Sequence, residues 1–102
     1  MGDDNPLLLL AATLVAAGID LVVIGSTARL LRAELVEPND LDVAVRAHSY
    51  PALAEVLGEP ARSHIWGGHF TTSFGPLDVQ CHDPLPPLAG HARIAGAEVA
   101  FA

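Results

Sequence analysis

The chain has 102 residues, five basic against twelve acidic, for a formal net charge of −7. With 51% apolar residues and a mean hydropathy of +0.40, it suits one small folded domain and excludes a disordered acidic tail. Every cation is an arginine (Arg29, Arg32, Arg46, Arg62 and Arg93), which excludes a P-loop lysine, a Schiff-base lysine and a lysine general base.

An acidic surface with scattered arginines argues against extensive binding to duplex DNA or to an anionic membrane. A local nucleotide site stays open, because metal ions supply the positive charge the chain lacks. Cys81 is the sole cysteine, so neither an internal disulfide nor a cysteine-rich zinc site is available. The longest apolar run, residues 7–17, is too short to span a bilayer, and the segment before it is acidic where a signal peptide is basic. A soluble, cytoplasmic protein is expected.

In chain order, Asn5-Pro6 predicts a helix start, with Asn5 as N-cap and Pro6 at the first helical position. The helix runs over 7–17 and stops at Gly18. Being apolar nearly all round, it is expected to be covered. The cover is either the chain's own sheet or a second protein, giving a homodimer or a protein complex through residues 6–17. Residues 21–24 read as a central strand. Gly25-Ser26 ends it, and Ser26 is the expected N-cap of a helix over 27–34, with Leu30, Leu31 and Leu35 at helical spacing.

Residues 37–39 form a loop. Residues 40–46 alternate as a half-buried strand, with Leu41, Val43 and Val45 inward and Asp40, Asp42, Ala44 and Arg46 outward. Ser49 is expected to cap a helix through Leu57, closed by Gly58. Residues 62–66 and 69–74 predict a hairpin turning at Gly67-Gly68, with Phe70 and Phe74 on one strand face. Gly75-Pro76 turns the chain again. Residues 77–82 place Leu77, Val79 and Cys81 inward and Asp78, Gln80 and His82 outward. Residues 83–87 form a proline-rich loop, and 92–95 with 98–101 form a last weak hairpin around Gly96. No repeat or linker divides residues 1–102, so one domain of α/β (α+β) class is expected.

Three features carry chemistry. Gly25-Ser26 marks a strand-to-helix turn, where glycine admits close backbone approach and a helix start offers free N–H groups to an anion. Asp40 and Asp42, two residues apart, share one strand face. Asp78 stands alone among apolar neighbours on a later alternating strand. Two carboxylates roughly 4 Å apart repel by about 4 kcal/mol at an effective dielectric of about 20. Divalent cations relieve that cost, and oxygen-only ligands favour Mg²⁺ or Mn²⁺.

Together, Ile24-Gly25-Ser26, Asp40-Leu41-Asp42-Val43 and Leu77-Asp78-Val79 resemble the polymerase-beta-type nucleotidyltransferase superfamily, over residues 6 to about 82. The likeness is nearest to its minimal members, including those of bacterial toxin–antitoxin pairs. It implies a mixed sheet flanked by helices. It also implies metal-dependent transfer of a nucleoside monophosphate from a nucleoside triphosphate to a hydroxyl acceptor, with release of pyrophosphate.

By the same resemblance, Asp40 and Asp42 bind two Mg²⁺ or Mn²⁺ ions. Asp78 binds the ion nearest the attacking hydroxyl and helps to deprotonate it. Gly25 and Ser26 hold the phosphates, and Arg29, one turn into the helix, reaches the phosphates or the substrate. Thirteen residues separate Ser26 from Asp40, a long spacer for the family, and Asn39 stands where Ser or Thr is common. Larger members continue into a helical substrate-binding domain, so a C-terminal region or a partner is one way the acceptor site is completed. The acceptor stays open between a protein, a tRNA and a small molecule.

The plainer readings are a catalytically inert nucleotidyltransferase-fold module serving as a binding or antitoxin partner, and a structural domain whose aspartates are solvated. His64 and His69 flank the Gly-Gly pair and His82 shares a face with Asp78. A transition-metal site is one reading of these histidines, ordinary surface or core positions the other. Trp66, Phe70 and Phe74 read as packing residues.

Overall fold

The computed structural model describes residues 5–102. Helix α1 (Pro6–Ala16) leads to strand β1 (Leu21–Ile24), and α2 (Gly25–Leu31) follows without a linking residue. Strand β2 (Leu41–Val45), a short 3-10 turn (Ala47–Ser49) and helix α3 (Tyr50–Leu57) come next. Then follow β3 (Arg62–His64), β4 (Gly67–Thr72), β5 (Gly75–Cys81), β6 (Gly90–Ile94) and β7 (Ala97–Phe101).

The strands form one mixed sheet in the order β3-β4-β5-β2-β1-β7-β6. The β2–β5 and β1–β7 pairs are parallel, and the others are antiparallel. The mixed α+β architecture is therefore the one the motifs imply.

Period two decides which face is which. Leu21, Val23, Leu41, Val43, Val45, Leu77, Val79, Val99 and Phe101 all enter the core. Helix α1 brings Leu7, Leu8, Leu10, Ala11, Ala12 and Leu14 to that face, all buried. Each fully buried leucine there contributes roughly 1.5–3 kcal/mol. The chain's own sheet thus covers most of the apolar helix, and Leu9 and Val15 are its only half-buried large side chains. Asn5 caps it as expected, its Oδ1 accepting from the Leu7 and Leu8 amides at 2.9 and 3.3 Å. Among the described residues no helix is long and apolar enough to cross a membrane.

Several local expectations are corrected. Ser26 is not the N-cap of α2. Gly25, at φ 66°, turns the chain within one residue, so the helix starts beside Ile24, which makes no side-chain cap bond. The helix also ends early. Ala33 at φ 66° breaks it, and Leu35 is fully exposed instead of on the apolar face.

Ala44 is fully buried, so β2 is covered on both faces at its centre. Ser49 precedes α3 but makes no capping bond, because the 3-10 turn already leads into the helix. Gly67 and Gly68 lie inside β4, and the turn falls on Ile65 and Trp66. These glycines serve close packing. A Cβ on Gly67 would run into the Val79 carbonyl, and one on Gly68 would lie 2.6 Å from the Tyr50 hydroxyl.

Gly75 and Pro76 belong to β5. The preceding turn is closed by Thr72 Oγ1, which donates to the Gly75 carbonyl at 2.7 Å. Phe74 falls in that turn, while Phe70 alone is buried, its ring tilted against Tyr50 at 6.2 Å. The last hairpin is longer than expected, and β7 runs beside β1 well inside the sheet.

Candidate active site

The sheet's polar row is set by register. Ile24 of β1 lies opposite Asp42 of β2, Asp42 opposite Asp78 of β5, and Asp78 opposite His69 of β4. Adjacent strands are about 4.8 Å apart, so the two carboxylates project as near neighbours from one face. The apolar residues on either side of Asp42 and Asp78 are buried in the core, which fixes the register and hence the side on which both acids emerge.

Asp40 stands just before β2, and its carbonyl accepts from Thr27 Oγ1 at 3.0 Å. Thr27 is fully buried, so this bond pins the start of α2 to the start of β2. Gly25 lies against Asp42. A Cβ there would sit 2.5 Å from Asp42 Oδ2. Glycine at this position allows both the positive φ and the close approach. Ser26, half-buried, is the next residue along α2.

Burial pushes the Asp42 carboxyl up to about 6, and the charges of Asp40 and then Asp78 push in the same direction, while His69 opposes them. Among the described residues, no arginine pairs with any of the three aspartates. Asp42 is half-buried beside two like charges, a cost that a hard divalent cation would relieve.

Arg29, on α2, is paired with Glu34. Its Nε donates to Glu34 Oε1 at 2.9 Å, and Arg32 holds the other Glu34 oxygen at 3.0 Å. Hydrogen bonds from Arg29 and then Arg32 keep the Glu34 carboxyl below its usual range.

Asp78 has partners the motif does not announce. His64 Nε2 and His69 Nδ1 both lie 3.2 Å from its Oδ1. Gln80 Nε2 donates to its Oδ2 at 3.3 Å, and Gln80 Oε1 meets His82 Nε2 at 3.1 Å. His82 thus reaches Asp78 through Gln80. An open cleft of about 430 Å³ continues along β5, lined by Trp66, Gln80, Cys81, His82, Asp83 and Pro84. Burial, with Asp83 adding to it, pushes the Cys81 thiol up, away from the reactive thiolate.

Sequence reasoning missed Thr27 and the union of His64 and His69 with Asp78. Neither signal is local. Thr27 acts across thirteen positions, His69 meets Asp78 through the β4–β5 register, and His64 does so through the β3–β4 hairpin.

No protein-family model and no curated protein matches this chain. Solved structures do, and they show the nucleotidyltransferase fold that the motifs imply. One is the solution structure of the antibiotic-resistance factor ANT(2'')-Ia, at a TM-score of 0.64 and 17% identity over 99% of this chain and 66% of that one. Another is the crystal structure of ANT(2'')-Ia in complex with adenylyl-2''-tobramycin, at a TM-score of 0.57 and 21% identity over 91% of this chain and 63% of that one. The chain thus spans just under two-thirds of the length of either structure.

Proposed function

We propose that the chain is a metal-dependent nucleotidyltransferase. It transfers a nucleoside monophosphate from a nucleoside triphosphate to a hydroxyl acceptor and releases pyrophosphate. The observation that carries this reading is Asp42 and Asp78 in register on adjacent strands of a nucleotidyltransferase fold, with Gly25 packed on Asp42.

Asp40, Asp42 and Asp78 would hold two Mg²⁺ or Mn²⁺ ions. Such ions neutralise the charge that develops on the phosphates and the leaving pyrophosphate. The chain's own part is positioning. Gly25 and Ser26 take the phosphates at the start of α2, and Thr27 keeps that turn against β2. Arg29 joins them by exchanging Glu34 for a phosphate oxygen. Asp78 accepts the proton of the acceptor hydroxyl.

The cleft lined by Gln80 and His82 is the place for a small-molecule acceptor, since Gln80 hydrogen-bonds Asp78 at 3.3 Å. One solved neighbour holds an adenylylated tobramycin, which makes a polyhydroxylated amine a first acceptor to try, ahead of a tRNA or a protein hydroxyl. A cytoplasmic setting, with its nucleoside triphosphates and reducing conditions, suits this chemistry.

The test is pyrophosphate release from each nucleoside triphosphate with Mg²⁺ and a panel of these acceptors. Activity lost in Asp42→Asn and in Asp78→Asn supports the reading. Full activity in both variants overturns it. No release with any acceptor, despite triphosphate binding, favours an inert module paired with another protein, as in a toxin–antitoxin system.

A further inference from the structure

We infer that His64, His69 and Asp78 form a binding site for one divalent transition-metal ion of the Zn²⁺ type. The three ligand atoms come from three adjacent strands, β3, β4 and β5. His64 Nε2 and His69 Nδ1 each lie 3.2 Å from Asp78 Oδ1, and all three atoms fall within 4.8 Å of one another. A tetrahedral ion with bonds of about 2.0–2.2 Å sets its ligand atoms about 3.3–3.6 Å apart. Two of the three spacings, at 3.2 Å, lie close to that range. The third closes by a small ring movement at half-buried side chains.

The donor set is two imidazoles and one carboxylate, which suits Zn²⁺, Co²⁺ or Ni²⁺ and does not suit Mg²⁺. Three protein ligands leave the fourth position to water or a ligand. The fold provides the geometry. His69 faces Asp78 in the β4–β5 register, and the β3–β4 hairpin, turning at Ile65 and Trp66, brings His64 alongside. The two rings stand edge-on at 5.2 Å with both ligand atoms turned to the same oxygen.

Metal at His64 Nε2 leaves the ring proton on Nδ1. That displaces the long 3.3 Å contact from the Trp66 amide, which sits at an exposed turn where water replaces it. The site does not depend on nucleotidyl transfer, although it shares Asp78 with the proposed centre. An occupied site would divert one Asp78 oxygen from the hard cations.

The test is titration of the metal-free protein with Co²⁺, read by its visible absorption, with Zn²⁺ as competitor. The expected result is one intensely absorbing four-coordinate Co²⁺ per chain, bleached by stoichiometric Zn²⁺ but only by Mg²⁺ in large excess. Loss of an orienting partner alone typically costs 10–100-fold in metal affinity, so removing a ligand should cost at least about 100-fold. His64→Gln and His69→Gln should each show that loss. His91→Gln, an exposed histidine on β6, should not.

Circular dichroism confirms that each variant is folded. Asp42→Asn should keep the Co²⁺ signal, so failure of nucleotidyl transfer and failure of this site read separately. Absence of the absorption, bleaching by Mg²⁺ as readily as by Zn²⁺, or an unchanged affinity in a folded His64→Gln/His69→Gln double variant would overturn the inference.

Discussion

Replacing Asp42 by Asn should stabilise the metal-free protein at neutral pH. The carboxyl has a value of 3.8 when unperturbed and about 6 in the fold, raised first by burial and then by Asp40 and Asp78. Because the folded state favours the protonated acid, its contribution is fully present below about pH 4 and is lost as the pH rises through about 6. The gap corresponds to about 3 kcal/mol. Solvent around a half-buried carboxylate screens that figure to about 1–2 kcal/mol.

Asn keeps the shape and removes the charge. The variant should therefore melt roughly 5–10 °C higher than wild type at pH 7.5 without metal. The difference should vanish near pH 4. Saturating Mg²⁺ should raise the wild-type melting temperature and leave the variant's almost unchanged. Thermal and urea unfolding across pH 4–8 read all three effects. A variant less stable than wild type at pH 7.5, or a gain equal at both ends of the range, would refute the electrostatic reasoning.

Other perturbations act on neighbouring parts of the structure. Gly25→Ala should destabilise by about 1–2 kcal/mol from the left-handed backbone alone. It should also displace Asp42 and abolish Mg²⁺-dependent triphosphate binding, as calorimetry would show. Thr27→Val removes the bond to the Asp40 carbonyl and should cost about 1–3 kcal/mol in urea unfolding. Leu8→Ala opens a cavity where α1 meets the sheet and should cost about 2–5 kcal/mol by the same measurement.

Much of the fold is legible in the sequence because alternation survives burial. Residues 41–45 and 77–81 announce which side is core, and Asp42 and Asp78 emerge opposite it in the structure. The N-cap at Asn5 is equally local, since its partners are two and three residues away. Turns are less legible. Gly-Gly at 67–68 looks like a turn, but the need there is close packing against Val79 and Tyr50, which only the assembled sheet creates. The end of α2 is also hidden, because Ala33 takes a positive φ that its residue type does not advertise.

The three aspartates and Gly25 could be singled out from spacing and type. Two further features could not. Arg29 turns to Glu34 because that carboxylate is five residues along and within reach, which competes with any role beside the aspartates. The histidines reach Asp78 through a strand register that a one-residue slip would destroy.

The most direct measurement of the central claim is thermal unfolding of the wild type and Asp42→Asn with Mg²⁺ and each of the four nucleoside triphosphates in turn. A ligand at about 100 times its Kd adds roughly 2.7 kcal/mol, equivalent to roughly 10–20 °C in a domain of this size. The prediction is a shift of that order with at least one triphosphate, dependent on Mg²⁺ and absent in Asp42→Asn. An equal shift in both proteins, or none with any triphosphate, would contradict a nucleotide site at these aspartates.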